Sequence, residues 1–328
     1  MKLRLGYLRL CDAAPLIVAR TLGLFSDEKL RVELVALSSW AEVRDRLITG
    51  DVQAAHCLAG IPLAAQAGLF GPSASLATAF TLNHFGNALT LSPALAAAGG
   101  ELKEIARQRR AQGRPLTLAA VFPVAKHQYE LRHWLIGQGL DPETDVRMVV
   151  TPPPLVAAAL RRGSLDGFCV GEPWSTRAIL EGCGVAVATS RSLGLPGTEK
   201  VLAVRSDWLE NLAHVAVLRA LHRATQWLAE PLNRVAASEL LAPYLGRPPE
   251  ELLPALSGRF QFRHGAAAQS VPDFVRFHGI NCPEPTHARW YLEQMQAAGQ
   301  LPHQSVLADI VQRAFRPDIY QRVLGGAK

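Results

Sequence analysis

This chain lacks several common signatures, and each absence removes a class of function. No segment approaches the roughly 18 consecutive apolar residues of a membrane-spanning helix, so none is expected. The N-terminus runs from Met1 straight into the alternating pattern Lys2–Leu8, with no charged region, apolar core and small-residue cleavage site in sequence. No run of five or more like charges suggests a nucleic-acid arm. The five cysteines, Cys11, Cys57, Cys169, Cys183 and Cys282, are scattered and odd in number, with no Cys-x-x-Cys pair. That suits reduced, mostly buried thiols in a cytoplasmic protein. No Gly-x-Ser-x-Gly elbow, P-loop or Gly-x-Gly-x-x-Gly loop occurs, and no histidine or cysteine spacing suggests a metal site. The expectation is a protein with no catalytic residues, no cofactor and no metal. Internal repeats and low-complexity tracts are also missing.

The rest is an ordinary globular composition, 49% hydrophobic and 19% charged over 328 residues, which suits two domains. The net charge of +6 favours anionic partners, although the arginines are spread along the chain. Strand patterns at 3–8, 31–37 and 54–58 alternate with helices ending near Leu22, over 41–48 and over 63–67. This order indicates a mainly parallel sheet. A strand over 76–82 meets a polar break at Asn83–Asn87 and resumes at Ala88–Leu91. A helix is expected over 95–112, then strands and helices alternate to Ala188. A return strand spans 199–205. Beyond it the pattern is helical, including 209–228, 234–245, 249–257, 272–278, 287–298 and 306–313. The division this implies is 1–87 with 190–328 as one lobe and 88–189 as the other.

The stretch Asp166–Trp174 stands out. Phe168, Cys169 and Val170 form an apolar run too short for a helix. Gly171 permits close backbone approach, and Pro173 donates no ladder hydrogen bond. Ligands of open α/β sheets sit beyond the carboxyl ends of strands, so this strand exit reads as one wall of a small-molecule site.

Asp12-Ala13-Ala14-Pro15-Leu16, Trp40 with Arg44-Asp45, Asn87–Leu91, Leu131–Leu135, Pro152-Pro153-Pro154, Gly167–Trp174, Glu199-Lys200-Val201 and Pro285–Leu292 together resemble the nitrate- and bicarbonate-binding proteins of ABC importers over nearly the whole chain. The resemblance implies an α/β, two-lobed type II periplasmic-binding-protein fold with an anion held in a cleft. It implies ligand contacts from Trp40, His127, Gly171 and Lys200, with Asn87 as a shorter counterpart of a family glutamine. Without an export signal or lipid-attachment cysteine, the chain resembles the cytoplasmic sensor branch of the NasS type, whose partner is a NasT-type RNA-binding antiterminator. The expected ligand is nitrate or nitrite, with no direct contact to nucleic acid or membrane. The rival is the substrate-binding subunit of a nitrate or bicarbonate importer.

On this reading Lys200 supplies positive charge, while His127 and the Trp40 indole donate N–H groups to a planar anion. Glu172 would repel an anion, and its expected role is support: pairing Lys200 or accepting backbone N–H groups. Trp134 and Trp174 are expected in the core, His56, His84 and His133 as structural or surface residues, and Cys169 as an inert buried thiol. Bicarbonate held through calcium calls for an acidic cluster, and none is visible beside Glu172.

Overall fold

The computed structural model describes residues 2–71 and 74–326. Its strands, in chain order, are β1 Lys2–Tyr7, β2 Arg31–Ala36, β3 Ala54–Leu58, β4 Leu76–Phe85, β5 Asn87–Leu91, β6 Leu116–Ala120, β7 Val146–Val150, β8 Gly167–Gly171, β9 Val185–Thr189, β10 Thr198–Arg205, β11 Arg259–Phe260, β12 Gln269–Ser270 and β13 Val275–Arg276. The chain divides into two compact units, one of residues 1–84, 196–249 and 275–328, the other of residues 85–195 and 250–274.

The first unit holds a six-stranded sheet in the order β13-β4-β10-β3-β1-β2. β1 lies parallel to β2 and β3, and β10 runs antiparallel to β3 and β4. β3 and β4 are buried along their whole length, as strands covered on both faces must be. The helix Trp40–Thr49 starts where Ser39 accepts the Glu42 N–H at 3.1 Å, and Glu42 reaches back to the Ser38 N–H at 2.8 Å. This reciprocal cap fixes Trp40 as the first helical residue.

The second unit holds a five-stranded sheet in the order β7-β6-β8-β5-β9. β6 is parallel to β7 and β8, and β5 is antiparallel to β8 and β9. Leu89, Leu91, Leu118, Leu131, Leu135 and Cys169 share its core. Cys169 is thus a packed thiol, as its apolar strand suggested.

The expected helix over 95–112 is broken into Pro93–Ala97, a 3-10 turn Gly99–Glu101 and Leu102–Ala111. Gly99 takes a left-handed φ of 53° there, which an α-helix does not accommodate. The expected helix over 272–278 is instead a turn leading to β13, with Asp273 at φ 54°. Helices at Trp174–Leu180 and Pro317–Leu324 escaped the sequence reading. Residues 250–274 belong with the second unit rather than the first. β4 runs three residues further than expected, to Phe85, and turns at Gly86, φ 101°. Among the described residues, no helix is long and apolar enough to cross a membrane.

Candidate functional site

In the first unit the site is built around Lys200 on β10. The β10–β4 ladder is irregular at this point. Adjacent residues that a regular strand would send to opposite faces therefore meet: Lys200 Nζ lies 2.7 Å from Glu199 Oε1. The ammonium is also 2.8 Å from Asp12 Oδ2, and Asp12 Oδ1 is 2.8 Å from His56 Nε2. Lys200, Glu199 and His56 are fully buried, and Asp12 nearly so. The Leu8 N–H donates to His56 Nδ1 at 3.4 Å, which assigns the ring proton to Nε2, facing Asp12. Burial pushes the Asp12 carboxyl up, but Lys200 and His56 outweigh it and hold the group well below the usual carboxylate range. Burial likewise works against the Lys200 ammonium, yet the two carboxylates raise its pKa and keep it charged. Trp40 closes the group. Its ring lies under Lys200 Nζ at 5.5 Å and 5.4 Å from the His56 ring. Trp40 is 1% exposed, and its Nε1 has no hydrogen-bond partner among the described residues.

In the second unit Asn87 opens β5 in ladder register with Gly171, the last residue of β8. The Asn87 side-chain amide donates to Glu130 Oε2 at 2.8 Å, and Glu130 Oε1 pairs with Lys126 Nζ at 3.2 Å. Lys126, His127 and Glu130, all fully buried, lie in the first two turns of the helix Lys126–Gly137. Lys126 and Arg191 flank the Phe85 ring at 5.4 and 5.1 Å from its centroid, and Phe85 is held at φ 59°. A bulky residue in that region is strained by about 1–3 kcal/mol and tends to mark a functional site. Glu172, joined to Pro173 by a cis peptide bond, accepts the Thr176 N–H through Oε2 at 3.1 Å. This bond satisfies an N–H in the first turn of the helix Trp174–Leu180, whose N-cap residue is Pro173. Burial, eased by that hydrogen bond, pushes its pKa up to about 7.

The residues picked from sequence thus fall into two groups. Trp40 and Lys200 come together in the first unit, and Asn87 and Gly171 do so in the second, where His127 also lies. Of the two supports foreseen for Glu172, accepting a backbone N–H is the one present; the partners of Lys200 are Asp12 and Glu199. His56, expected as a structural or surface residue, is buried against Asp12 within the Lys200 cluster. The sequence reading overlooked Asp12, Glu199, Lys126 and Glu130 as site groups. Their signal was a charged residue set in an apolar run or directly beside a chosen one.

The two α/β units, each with a mixed sheet and a buried charge network at strand ends, make up a fold of the periplasmic-binding-protein type. The family model described as the NMT1-like family matches residues 1–242, and the chain belongs to that family. It is 31% identical to the nitrate/nitrite binding protein NrtA of Synechococcus elongatus over 336 residues, 97% of this chain and 76% of that protein. It is 32% identical to the nitrate import ATP-binding protein NrtC of Synechocystis over 330 residues, 98% of this chain but 49% of that protein. The chain therefore spans about half the length of NrtC. The crystal structure of the periplasmic nitrate-binding protein NrtA from Synechocystis PCC 6803 superposes with a TM-score of 0.91 at 25% identity, covering 100% of this chain and 89% of that one.

Proposed function

We propose that this chain binds nitrate, and nitrite with it, as a non-catalytic receptor, with Trp40, Asn87, His127, Gly171 and Lys200 as the contacts. The observation that carries the reading is the Trp40 Nε1–H, a buried donor with no acceptor among the described residues, beside the Lys200 ammonium. A buried polar group left unpaired costs about 1–3 kcal/mol. An oxygen of a planar, weakly hydrated anion would recover it. The similarity to the nitrate-binding NrtA structure supports the same ligand.

Lys200 also weighs against bicarbonate held through calcium. The acidic pair that such a site needs exists as Asp12 and Glu199, but the Lys200 ammonium already stands between the two carboxylates. With Lys200 neutralised by its own neighbours, affinity must come from N–H donors. Titration calorimetry with nitrate, nitrite and bicarbonate, the last with and without calcium, tests this. Bicarbonate binding that requires calcium, with none for nitrate, would overturn it.

The same reading includes a signalling role. We propose a cytoplasmic sensor whose empty form holds a NasT-type RNA-binding antiterminator and whose nitrate-bound form releases it, since a ligand shifts a partner equilibrium only by preferring one state. Support comes from the cysteines: none of the five is in a disulfide and three are buried, which suits a reducing compartment. The second reading, an importer's binding subunit, draws support from the import protein NrtC among the relatives. Fractionation of the native protein separates the two. Co-purification with the antiterminator that is unchanged by nitrate would remove the sensor role.

A further inference from the structure

A second polar cluster lies elsewhere in the first unit, made of His84, Glu284, His287 and Thr198. His84 is the penultimate residue of β4, and Thr198 faces it across the ladder as the first residue of β10. Glu284 caps the helix Pro285–Ala297, and His287 follows one turn later. Three residues apart on a helix start, these two side chains share a face. Pro285 at the first helical position helps fix that turn.

The distances distinguish this group from an ordinary hydrogen-bonded triad. His84 Nε2 lies 3.8 Å from Glu284 Oε1, and His287 Nε2 lies 3.4 Å from Glu284 Oε2. Both are long for charge-assisted hydrogen bonds, which run nearer 2.8 Å. They are close to the edge of a tetrahedron around zinc, roughly 3.3–3.5 Å for metal–ligand bonds near 2.05 Å. One ligand atom from each residue lies within 4.8 Å of the others.

The surroundings fix the rings in the orientation a metal needs. Thr198 Oγ1 sits 2.8 Å from His287 Nδ1, so Nε2 of that ring is the nitrogen turned toward the carboxylate; the same hydroxyl lies 3.2 Å from His84 Nε2, a longer contact that an ion bound there would displace. Thr198 is held in turn by the Tyr291 hydroxyl, which donates to its carbonyl at 3.0 Å. A partner on the far ring nitrogen is the arrangement that orients metal-ligating histidines. Gly197 makes room for the other ring: a Cβ there would stand 2.4 Å from His84 Nδ1. His84 is buried while Glu284 and His287 are partly exposed, so an ion has a path in. With His287 Nδ1 engaged by Thr198, the two Nε2 atoms and the Glu284 carboxylate oxygens face one another, a donor set that a cation would satisfy.

We propose that His84, Glu284 and His287 form a divalent transition-metal site, of zinc type by its two nitrogens and one oxygen, with the fourth position left to water or an exogenous ligand. Its residues are distinct from the proposed anion contacts, although Thr198 shares β10 with Lys200.

The test uses the full chain stripped with a chelator, titrated with zinc chloride by calorimetry and with cobalt(II) by visible absorbance. Wild type is expected to take up one saturable equivalent and to give the intense cobalt band of a tetrahedral site. Glu284→Gln and His287→Ala should each weaken zinc at least 10-fold, and both side chains are exposed enough for the variants to fold, which circular dichroism checks. Thr198→Val should weaken it about 10-fold while keeping the cobalt band, as loss of an orienting partner does. Absence of saturable zinc in wild type, or affinity unchanged in both ligand variants, overturns the proposal. Nitrate binding by the same samples is read separately, so failure of one assignment leaves the other standing.

Discussion

Replacing Lys200 with methionine isolates the physical core of the first unit's site. The substitution keeps an unbranched side chain one atom shorter and removes the ammonium that Asp12 and Glu199 share at 2.8 and 2.7 Å. Neither carboxylate reaches bulk water. Breaking a buried ion pair by deleting one partner costs about 3–5 kcal/mol. The loss is not doubled by the second carboxylate, because the pocket can take up a proton instead. Protonating a carboxyl of ordinary pKa near 3.9 at pH 7 costs about 4 kcal/mol, at roughly 1.4 kcal/mol per unit, which agrees with that range. The sign of the pH dependence follows. In wild type the depressed Asp12 pKa contributes stability that is present above the ordinary carboxylate pKa and lost as pH falls through the native one. In the variant the carboxyls are raised, so acid helps. The gap between the two proteins should therefore narrow by about 2–3 kcal/mol between pH 7 and pH 5. Urea unfolding followed by tryptophan fluorescence, with Trp40 in the cluster as reporter, measures it. Adding Asp12→Asn to the variant should recover part of the loss. A variant within about 1 kcal/mol of wild type at pH 7, or a gap that does not narrow in acid, would refute the argument that Lys200 is held as a buried charge.

Glu172 titrates in the opposite sense. Its pKa of about 7 in the folded chain lies above its unfolded value, so stability falls as pH rises from 5 to 8, by roughly 2–3 kcal/mol at most. Glu172→Gln should flatten that slope in unfolding titrations, and should equally remove any weakening of nitrate binding above neutral pH. A Glu172→Gln slope equal to that of wild type would show that the carboxyl ionises freely. Trp40→Phe removes the unpartnered donor with little change in packing. Nitrate affinity should drop about 10- to 100-fold, the worth of one hydrogen bond to an anion, as read by calorimetry. Gly167→Ala would place a Cβ 2.5 Å from Leu91 Cδ2 and 2.8 Å from the Thr90 carbonyl oxygen. It should cost about 1–3 kcal/mol by overpacking, seen as a lower urea midpoint with nitrate contacts intact. Cys57 and Cys169 are buried, and burial raises the Cys57 thiol pKa. Neither should react with a thiol reagent until the protein unfolds, whereas prompt labelling of either in native protein would contradict this packing.

Several elements were legible because local rules decide them. Ser39 followed three residues later by Glu42 is a capping pattern, and the helix it starts, expected over 41–48, spans Trp40–Thr49. The all-apolar run at 168–170 is a strand, and the helices at 126–137 and 234–245 end where their patterns end. Where the reading failed, a long-range condition overrode the local pattern. The run 95–112 is helical by composition but is interrupted where Gly99 takes a left-handed φ. The run 272–278 carries apolar residues that serve a turn and an edge strand of the first sheet. The first turn of the Trp174–Leu180 helix is held by the Glu172 carboxylate, one residue past β8, a contact that hydrophobic periodicity does not register.

The amino-acid order alone indicated an α/β chain and a strand that exits at Gly171 and Glu172, while Trp40, Asn87, His127 and Lys200 were singled out by the resemblance to the nitrate- and bicarbonate-binding proteins. Only the tertiary structure decided their electrical state. Asp12, His56 and Glu199 are 188, 144 and 1 residues from Lys200 in the chain, yet they share one buried pocket with it. Partners brought together by strand crossovers have no fixed spacing in sequence, and burial, which sets the strength of their charges, is a property of the folded chain.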